Sequence, residues 1–209
     1  IYAVETGERL TELSGHRDTL YAALFSPDQK YVATAGYDRE IILWDASSGE
    51  PVRTFRGHNG AIFDLAFSPD GKTMYYSDSN PSVRTIWRGD YDPETGTPSA
   101  PEVFFDTNSV PGRPDGGTVD ADGYYWMAGV SGWQLYRIAP DGTVDLTIDM
   151  PVEKPTKPMF GGANLDILFV TSIGVGLAEG SEAKQPEAGS LFAITGLGIT
   201  GFPQTPFAG

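Results

Sequence analysis

Short runs of β-branched and aromatic residues alternate with turn sequences along the chain. In the first quarter these runs cover residues 20–25, 31–35, 41–44 and 52–55. They are separated by turns such as Ser-Pro-Asp-Gln and Gly-Tyr-Asp-Arg. Short runs bounded by Gly, Pro, Asp and Ser are typical of antiparallel strands. The pattern therefore predicts a four-stranded antiparallel sheet here, and little helix overall.

A repeat of 42 residues organises the first third of the sequence. Gly15-His16 recurs as Gly57-His58, and Phe-Ser-Pro-Asp at residues 25–28 recurs at residues 67–70. Two separate landmarks keep one spacing, which lies within the roughly 40–45 residues of a propeller blade. The repeat therefore predicts an all-β fold of the β-propeller class, in which each unit is one blade.

Gly15-His16 opens the first repeat, and Trp44-Asp45 closes its third strand. With these two landmarks the first repeat resembles a WD repeat. The resemblance covers about residues 1–67. The second repeat begins in the same way, but it has Ile86-Trp87-Arg88 where Trp-Asp is expected.

A different set of landmarks follows from about residue 68. They are Met-Tyr-Tyr-Ser-Asp-Ser at residues 74–79, Arg-Pro-Asp-Gly-Gly at 113–117, Phe-Gly-Gly at 160–162 and Gln-Pro-Glu-Ala-Gly at 185–189. With these landmarks the chain resembles a different propeller family, the six-bladed regucalcin/gluconolactonase (SGL) family. The order of these landmarks matches the C-terminal half of that family. The changeover is predicted in the turn at residues 67–72, where a join would keep strand register.

The two resemblances together predict one continuous propeller domain made as a chimera. WD-repeat-like blades occupy residues 1–67, and regucalcin/gluconolactonase-like blades occupy residues 68–209. Engineered recombination of two propeller fragments is the leading explanation, and natural gene fusion is the alternative.

Counting strand runs gives about four blades of four antiparallel strands. They are expected at residues 18–56, 60–106, 115–149 and 157–197, and the fourth lacks an outer strand. Residues 9–14 could supply that strand, because closing the ring removes exposed strand edges. Four blades could close alone or form half of an eight-bladed homodimer, and the sequence leaves both open.

Charge and composition exclude several classes of partner. The formal net charge is −14 with only 14 scattered Lys and Arg, so we expect no nucleic-acid partner and no attraction to an acidic membrane. The chain contains no cysteine, which excludes disulfides and thiolate chemistry. No apolar run is long enough for a membrane span, and Ile1 opens without a signal-like leader. We therefore expect a soluble protein of undetermined compartment, cytoplasmic if it was engineered for expression.

The lactonase resemblance implies a divalent cation in the central tunnel, held by carboxylate and amide oxygens. Calcium, magnesium, manganese or zinc would suit such ligands. Asp115 matches one family ligand, but Phe63 stands where the family has an asparagine, and the other family positions fall in WD-like sequence. Strand alternation further predicts that Asp64 points away from the side that Phe63 faces. A remnant site of this kind would bind a cation at low occupancy.

The two histidines are predicted to be structural. In WD repeats the Gly-His histidine joins a turn aspartate and the closing tryptophan, which implies a buried network of His16, Asp38 and Trp44. The corresponding partners of His58 would be Asp78 and Trp87, in a looser arrangement.

These observations favour a chimeric scaffold that has lost the catalytic activity of its parents. The first alternative is a metal-dependent sugar lactone hydrolase that uses Asp115, and the second is a WD-repeat protein-binding module. A second copy of the chain could complete the propeller ring as a homodimer, and no specific protein partner is evident from the sequence.

Overall fold

Each predicted blade forms one antiparallel sheet. A computed structural model of the chain describes residues 1–203, apart from the side chains of residues 97 and 98. Blade 1 contains β1 (Leu20–Phe25), β2 (Tyr31–Gly36), β3 (Ile41–Asp45) and β4 (Pro51–Phe55). Blade 2 contains β5 (Ile62–Phe67), β6 (Thr73–Asp78), β7 (Thr85–Asp92), β8 (Thr97–Pro98) and β9 (Glu102–Asp106), with β8 and β9 both pairing with β7.

The second half of the chain supplies the remaining two sheets. Blade 3 contains β10 (Arg113–Val119), β11 (Tyr125–Val130), β12 (Gln134–Ile138) and β13 (Val144–Asp149). Blade 4 contains β14 (Pro155–Gly161), β15 (Ile167–Ser172) and β16 (Phe192–Ile194). Short 3-10 turns lie at Thr107–Ser109 and Glu182–Lys184. The prediction of a four-bladed all-β propeller is confirmed, and the fourth sheet has three strands.

The repeated Ser-Pro-Asp sequence closes the first hairpin of blades 1 and 2. The Ser26 hydroxyl donates to the Asp28 carboxylate at 2.6 Å, and Ser68 makes the same 2.6 Å bond to Asp70. Each aspartate also accepts a backbone N–H two residues later, as Asx turns do. The turn is therefore stabilised locally, because its own Ser and Asp side chains make hydrogen bonds that water would otherwise make with the turn backbone.

Apolar side chains fill the spaces between successive blades. Ile41, Leu43 and Ile62 belong to the cluster between blades 1 and 2. Equivalent clusters join blade 2 to blade 3 and blade 3 to blade 4. Central strands such as β11 are buried along their whole length because they pack on both faces.

The N-terminal segment packs on the face of blade 1 that is turned away from blade 2. Ile1 and Leu13 pack on a cluster of that blade that includes Ile42 and Trp44. A Cβ atom added at Gly49 would meet Thr11–Leu13, so this segment lies against the β3–β4 turn. The expectation that residues 9–14 complete blade 4 within the same chain is therefore wrong: they pack on blade 1 because apolar surface is available there.

Blade contacts run in sequence order. Strands of blade 1 pack on blade 2, those of blade 2 on blade 3, and those of blade 3 on blade 4. Within residues 1–203, no strand pair of blades 1 and 4 is in comparable contact. Ring closure by a second copy stays a prediction.

The part of the chain that the structure describes contains no helix long and apolar enough to cross a membrane.

Candidate functional site

The first strands of the four blades line one cavity of about 890 Å³. Each of these strands pairs with its neighbour on one side only, so its other edge faces the centre. The lining comes from residues 21–25 of β1, 63–67 of β5, 115–119 of β10, and Thr156, Lys157 and Met159 of β14. Both sequence halves therefore contribute to one central site.

Each first strand has an irregularity in its pairing where it borders the cavity. The register shifts between Leu20 and Ala22 in β1 and between Ile62 and Asp64 in β5. Shifts also occur between Pro114 and Gly117 in β10 and between Pro155 and Lys157 in β14. A β-bulge interrupts the alternation of side chains and re-aims its residues. These bulges are therefore able to turn extra side chains toward the centre.

The bulge in β5 changes where Asp64 lies. Phe63 and Asp64 both line the cavity, although simple alternation predicts opposite faces for them. Phe63 has no partner in the β5–β6 register because it occupies the bulge. The expectation that Asp64 points away from the site is therefore wrong.

Asp64 is a buried carboxylate with partners on both oxygens. Its side chain is only 5% exposed. Oδ2 accepts the Gly117 backbone N–H at 2.6 Å, and Oδ1 pairs with the Lys157 ammonium. Burial raises the pKa of Asp64, and the Lys157 charge opposes that rise. The pair joins blade 2 to blade 4 across the cavity.

Close backbone approach lets Lys157 reach this position. A Cβ atom at Gly116 would lie 2.5 Å from Lys157 Cδ and 2.7 Å from the Thr156 carbonyl oxygen. The Lys157 ammonium also donates to the Gly117 carbonyl oxygen. The Gly116-Gly117 pair in the lactonase-like sequence thus leaves room for the lysine stem.

Asp115 is the second carboxylate of the site. The structure places it in the β10 bulge on the cavity wall, partly exposed. Its backbone carbonyl accepts a 3.0 Å hydrogen bond from Ser77, and among residues 1–203 its carboxyl group has no hydrogen-bond partner. Burial, reinforced by the charge of Asp64, raises the pKa of Asp115 to about 6, although Arg113 and Lys157 oppose that rise. Asp115 is therefore poised to exchange a proton near neutral pH.

An aromatic cluster reaches the cavity wall through Tyr21 and Phe63. Tyr21 lies 4.7 Å from Phe63 and 5.7 Å from Tyr37, measured between ring centroids. About half of each tyrosine is exposed. Since Tyr21 belongs to blade 1, the WD-like part of the chain lines the same cavity as Asp115.

The structure does not assemble a multidentate metal site around the predicted ligand. Within residues 1–203, no three His, Asp or Glu side chains converge as a group that could hold a metal ion. Beside Asp64, where a second metal ligand would be expected, the structure has the Lys157 ammonium. The sequence reasoning missed this residue. A signal for it existed, since Lys157 is a charged residue in an otherwise apolar and small run, Pro155–Gly161.

His16 lies in a hydrogen-bonded chain outside the cavity. Its Nδ1 is 2.7 Å from the Asp38 carboxylate and its Nε2 is 2.7 Å from the Thr34 hydroxyl. Trp44 Nε1 donates to the same hydroxyl at 2.7 Å. The structure thus brings His16, Asp38 and Trp44 together through Thr34, which the sequence reasoning did not include.

His58 does not form the corresponding chain. Its Nε2 is buried and has no hydrogen-bond partner among the described residues. The ring packs edge-on against Tyr76 at 4.8 Å, and Tyr76 occupies the position equivalent to Thr34 one repeat later. Asp78 instead accepts the backbone N–H groups of Gly60 and Asn80. Among the described residues no hydrogen bond links His58 to Asp78 or Trp87, because Tyr76 stands where blade 1 has the bridging threonine; only the charge of Asp78 acts on His58.

Two family models match the chain. The model of the SMP-30/Gluconolactonase/LRE-like region matches residues 44–174, and the model of the WD domain, G-beta repeat, matches residues 7–45. Both predicted resemblances are thus confirmed. The two matches meet at residues 44–45, earlier than the changeover expected at residues 67–72, and the chimeric origin stays a prediction.

Curated relatives are similar to about two thirds of the chain. Regucalcin of Xenopus laevis is 37% identical over 140 residues, which are 66% of this chain and 46% of that protein. Pentonolactonase XacC of Haloferax volcanii is 38% identical over 135 residues, or 63% of this chain and 45% of that protein. The chain thus spans about half the length of the curated relatives it matches.

Solved structures show the same architecture. A luciferin-regenerating enzyme superposes with a TM-score of 0.77 at 30% identity, covering 88% of this chain and 64% of that one. A regucalcin from Agrobacterium tumefaciens, described as a calcium-binding protein, gives a TM-score of 0.74 at 24% identity, covering 90% and 64%. The WD40 repeats of RRP9 give 0.57 at 16% identity, covering 88% and 53%, a likeness of fold alone. With a family match over more than half of its length, the chain belongs to the SMP-30/gluconolactonase/LRE-like family.

Proposed function

We propose that this protein hydrolyses a small cyclic ester of the sugar-lactone type in its central cavity. The observation that carries the proposal is the Asp115 carboxyl group, which lines the cavity without a hydrogen-bond partner among residues 1–203. Its pKa of about 6 suits a general base at neutral pH. Membership of a family with lactonase relatives supports the same reaction class.

The residues present can supply both a base and a positive charge. Asp115 takes a proton from a water molecule as that water adds to the lactone carbonyl carbon. The carbonyl oxygen becomes an oxyanion that faces the Lys157 ammonium, which has three N–H donors, two of them engaged by Asp64 and Gly117. The ring C–O bond then breaks, the leaving oxygen takes the proton from Asp115, and an open-chain hydroxy acid is released.

The test is acid release from five- and six-carbon aldonolactones above the spontaneous rate. Purified protein is assayed with a pH indicator, once with EDTA and once with added divalent cation. The Asp115→Asn variant is expected to lose about 100-fold in kcat/KM, since it removes the base. Asp122→Asn is the matched control, because its side chain is 70% exposed and it does not line the cavity.

Unchanged turnover in Asp115→Asn would contradict the assigned base. No hydrolysis above the spontaneous rate, with or without divalent cation, would instead support the non-catalytic scaffold that the sequence favours.

The pKa of Asp115 predicts opposite pH dependences for activity and stability. The base must be ionised, so kcat/KM is expected to rise with pH through about 6 and then level off. A carboxyl group with a raised folded-state pKa stabilises the fold only while it is protonated, so this contribution is lost as pH rises through about 6. Asp115→Asn is therefore expected to be more stable than wild type at pH 8, by on the order of 1 kcal/mol, and equal to it near pH 4. Urea denaturation of both proteins at the two pH values measures this difference in the free energy of unfolding. A difference of the same size at pH 4 and pH 8 would contradict the prediction.

A further inference from the structure

The Lys157 ammonium occupies the centre of the carboxylate site. It extends from β14 in blade 4 and pairs with Asp64 of β5 in blade 2, 93 positions earlier in the chain. It also donates to the Gly117 carbonyl oxygen in blade 3. One side chain thus ties together the three blades that border the cavity on this side. With 35% of its side chain exposed, Lys157 remains open to the cavity, whereas Asp64 is enclosed.

The positive charge of Lys157 acts on both carboxylates of the cavity. Asp64 bonds directly to Lys157, and the positive charge of Lys157 also acts on Asp115. Asp64 and Asp115 are close enough for the charge of Asp64 to disfavour ionisation of Asp115. Two neighbouring carboxylates need a compensating positive charge in a partly buried site, and Lys157 supplies it.

A divalent ion does not fit the same donor set. Calcium and magnesium require about six oxygen ligands, usually including several protein oxygens. Phe63 offers no oxygen, and both oxygens of Asp64 are already engaged by Lys157 and Gly117. An ammonium group beside these carboxylates would also repel a divalent cation at the distances over which such an ion must bind.

We propose that the Lys157 ammonium is the resident cation of this site, in the place where the family resemblance implies a divalent metal. The site is then independent of metal in the wild-type protein. Removal of Lys157 takes the counter-charge from Asp64 and Asp115 and frees the Asp64 oxygen that it engages, so these two carboxylates are then expected to bind a divalent cation weakly. The inference concerns ion binding and does not depend on the proposed hydrolysis.

The experiment measures ion binding and thermal stability without any substrate. Wild-type protein is titrated calorimetrically with CaCl₂ and MnCl₂, and its Tm is recorded in EDTA and in each salt. We expect no saturable binding to the wild-type protein. We also expect no change in its Tm beyond the change produced by NaCl at the same ionic strength. Lys157→Ala is expected to have a lower Tm in EDTA, because a buried carboxylate has lost its partner. Its Tm is expected to recover with added Ca²⁺ or Mn²⁺, with an apparent Kd on the order of 1 mM.

Matched variants separate the site from a general charge effect. Lys154→Ala removes an equal charge from a half-buried lysine of the same blade, whose ammonium donates to the Gly176 carbonyl oxygen, and it is expected to stay insensitive to metal. The double variant Asp64→Asn/Lys157→Met removes both charges of the pair and is expected to fold without acquiring metal binding.

Two results would overturn the proposal. One is saturable binding of Ca²⁺ or Mn²⁺ to the wild-type protein that disappears in Asp115→Asn. The other is a folded Lys157→Ala protein that shows no binding of either ion. If Lys157→Ala folds only when Ca²⁺ or Mn²⁺ is present, that supports the proposal. The wild-type titration needs no variant and is decisive even where Lys157→Ala fails to fold in every buffer.

Discussion

Asp120→Asn is expected to lower the free energy of unfolding by about 3–5 kcal/mol, as loss of a fully buried charge partner does. The Asp120 side chain has no exposed surface. Its Oδ2 accepts hydrogen bonds from Trp126 Nε1 at 2.9 Å and Arg137 Nε at 2.7 Å. Its Oδ1 accepts the backbone N–H groups of Asp122 and Tyr124, both at 3.0 Å.

The geometry explains why an amide cannot replace this carboxylate. Each oxygen of Asp120 faces two donors, and an asparagine NH₂ group placed on either side would meet donors only. Arg137, held over the Tyr124 ring at 3.7 Å, would also lose its buried counter-charge. Blade 3 should unfold at a lower urea concentration as a result.

Asp122→Asn is the matched control for this prediction. It removes one charge from the same arginine, but the Asp122 side chain is 70% exposed and its contact is 3.2 Å long. Exposed ion pairs contribute about 0–1 kcal/mol. Urea denaturation followed by tryptophan fluorescence compares the two variants, and losses of similar size would contradict the assignment of Asp120 as the centre of the network.

Thr34→Val is expected to destabilise the protein by about 2–4 kcal/mol, because it leaves two buried groups without a partner. The substitution keeps the shape of the side chain and removes only the hydroxyl. Trp44 Nε1 and His16 Nε2 both lie 2.7 Å from that hydroxyl, and Trp44 is 1% exposed. The expected loss of stability therefore comes from the two hydrogen bonds to the hydroxyl, because the substitution leaves no cavity.

Blade 2 provides a natural comparison for this network. His58 already has a buried Nε2 without a partner among the described residues, and burial lowers its pKa. His58→Phe removes the unsatisfied atom, so a change of less than about 1 kcal/mol is expected at pH 7.5. If His58→Phe costs as much as Thr34→Val in thermal and urea unfolding, the hydrogen-bonded chain is not what distinguishes the two blades.

Much of the strand architecture was predictable from local sequence. The strands of blade 1 lie within one residue of the expected runs, since each begins and ends at a turn that its own residues form. Ser26 and Asp28 illustrate this, because their hydrogen bonds are made within six residues of one another. Local interactions of this kind leave a clear pattern in the sequence.

The candidate site was predicted only in part. Asp115 was identified through the family resemblance, and the structure does place it on the cavity wall. Asp64 was assigned to the wrong side because alternation assumes a regular strand, and the bulge at Phe63 has no signature in the hydrophobic pattern. Thr34 was missed because a threonine in a strand is ordinarily a surface or packing residue.

By itself, the sequence determined the blade repeat, the hairpin turns and the two family resemblances, because all of these depend on residues close together in the chain. The tertiary structure decided that Lys157 pairs with Asp64, that the N-terminal segment packs on blade 1, and that Nε2 of His58 has no partner within residues 1–203. These contacts join residues far apart in sequence, and they depend on how the blades are packed and where each strand bulges. Periodicity along the chain carries no information about either.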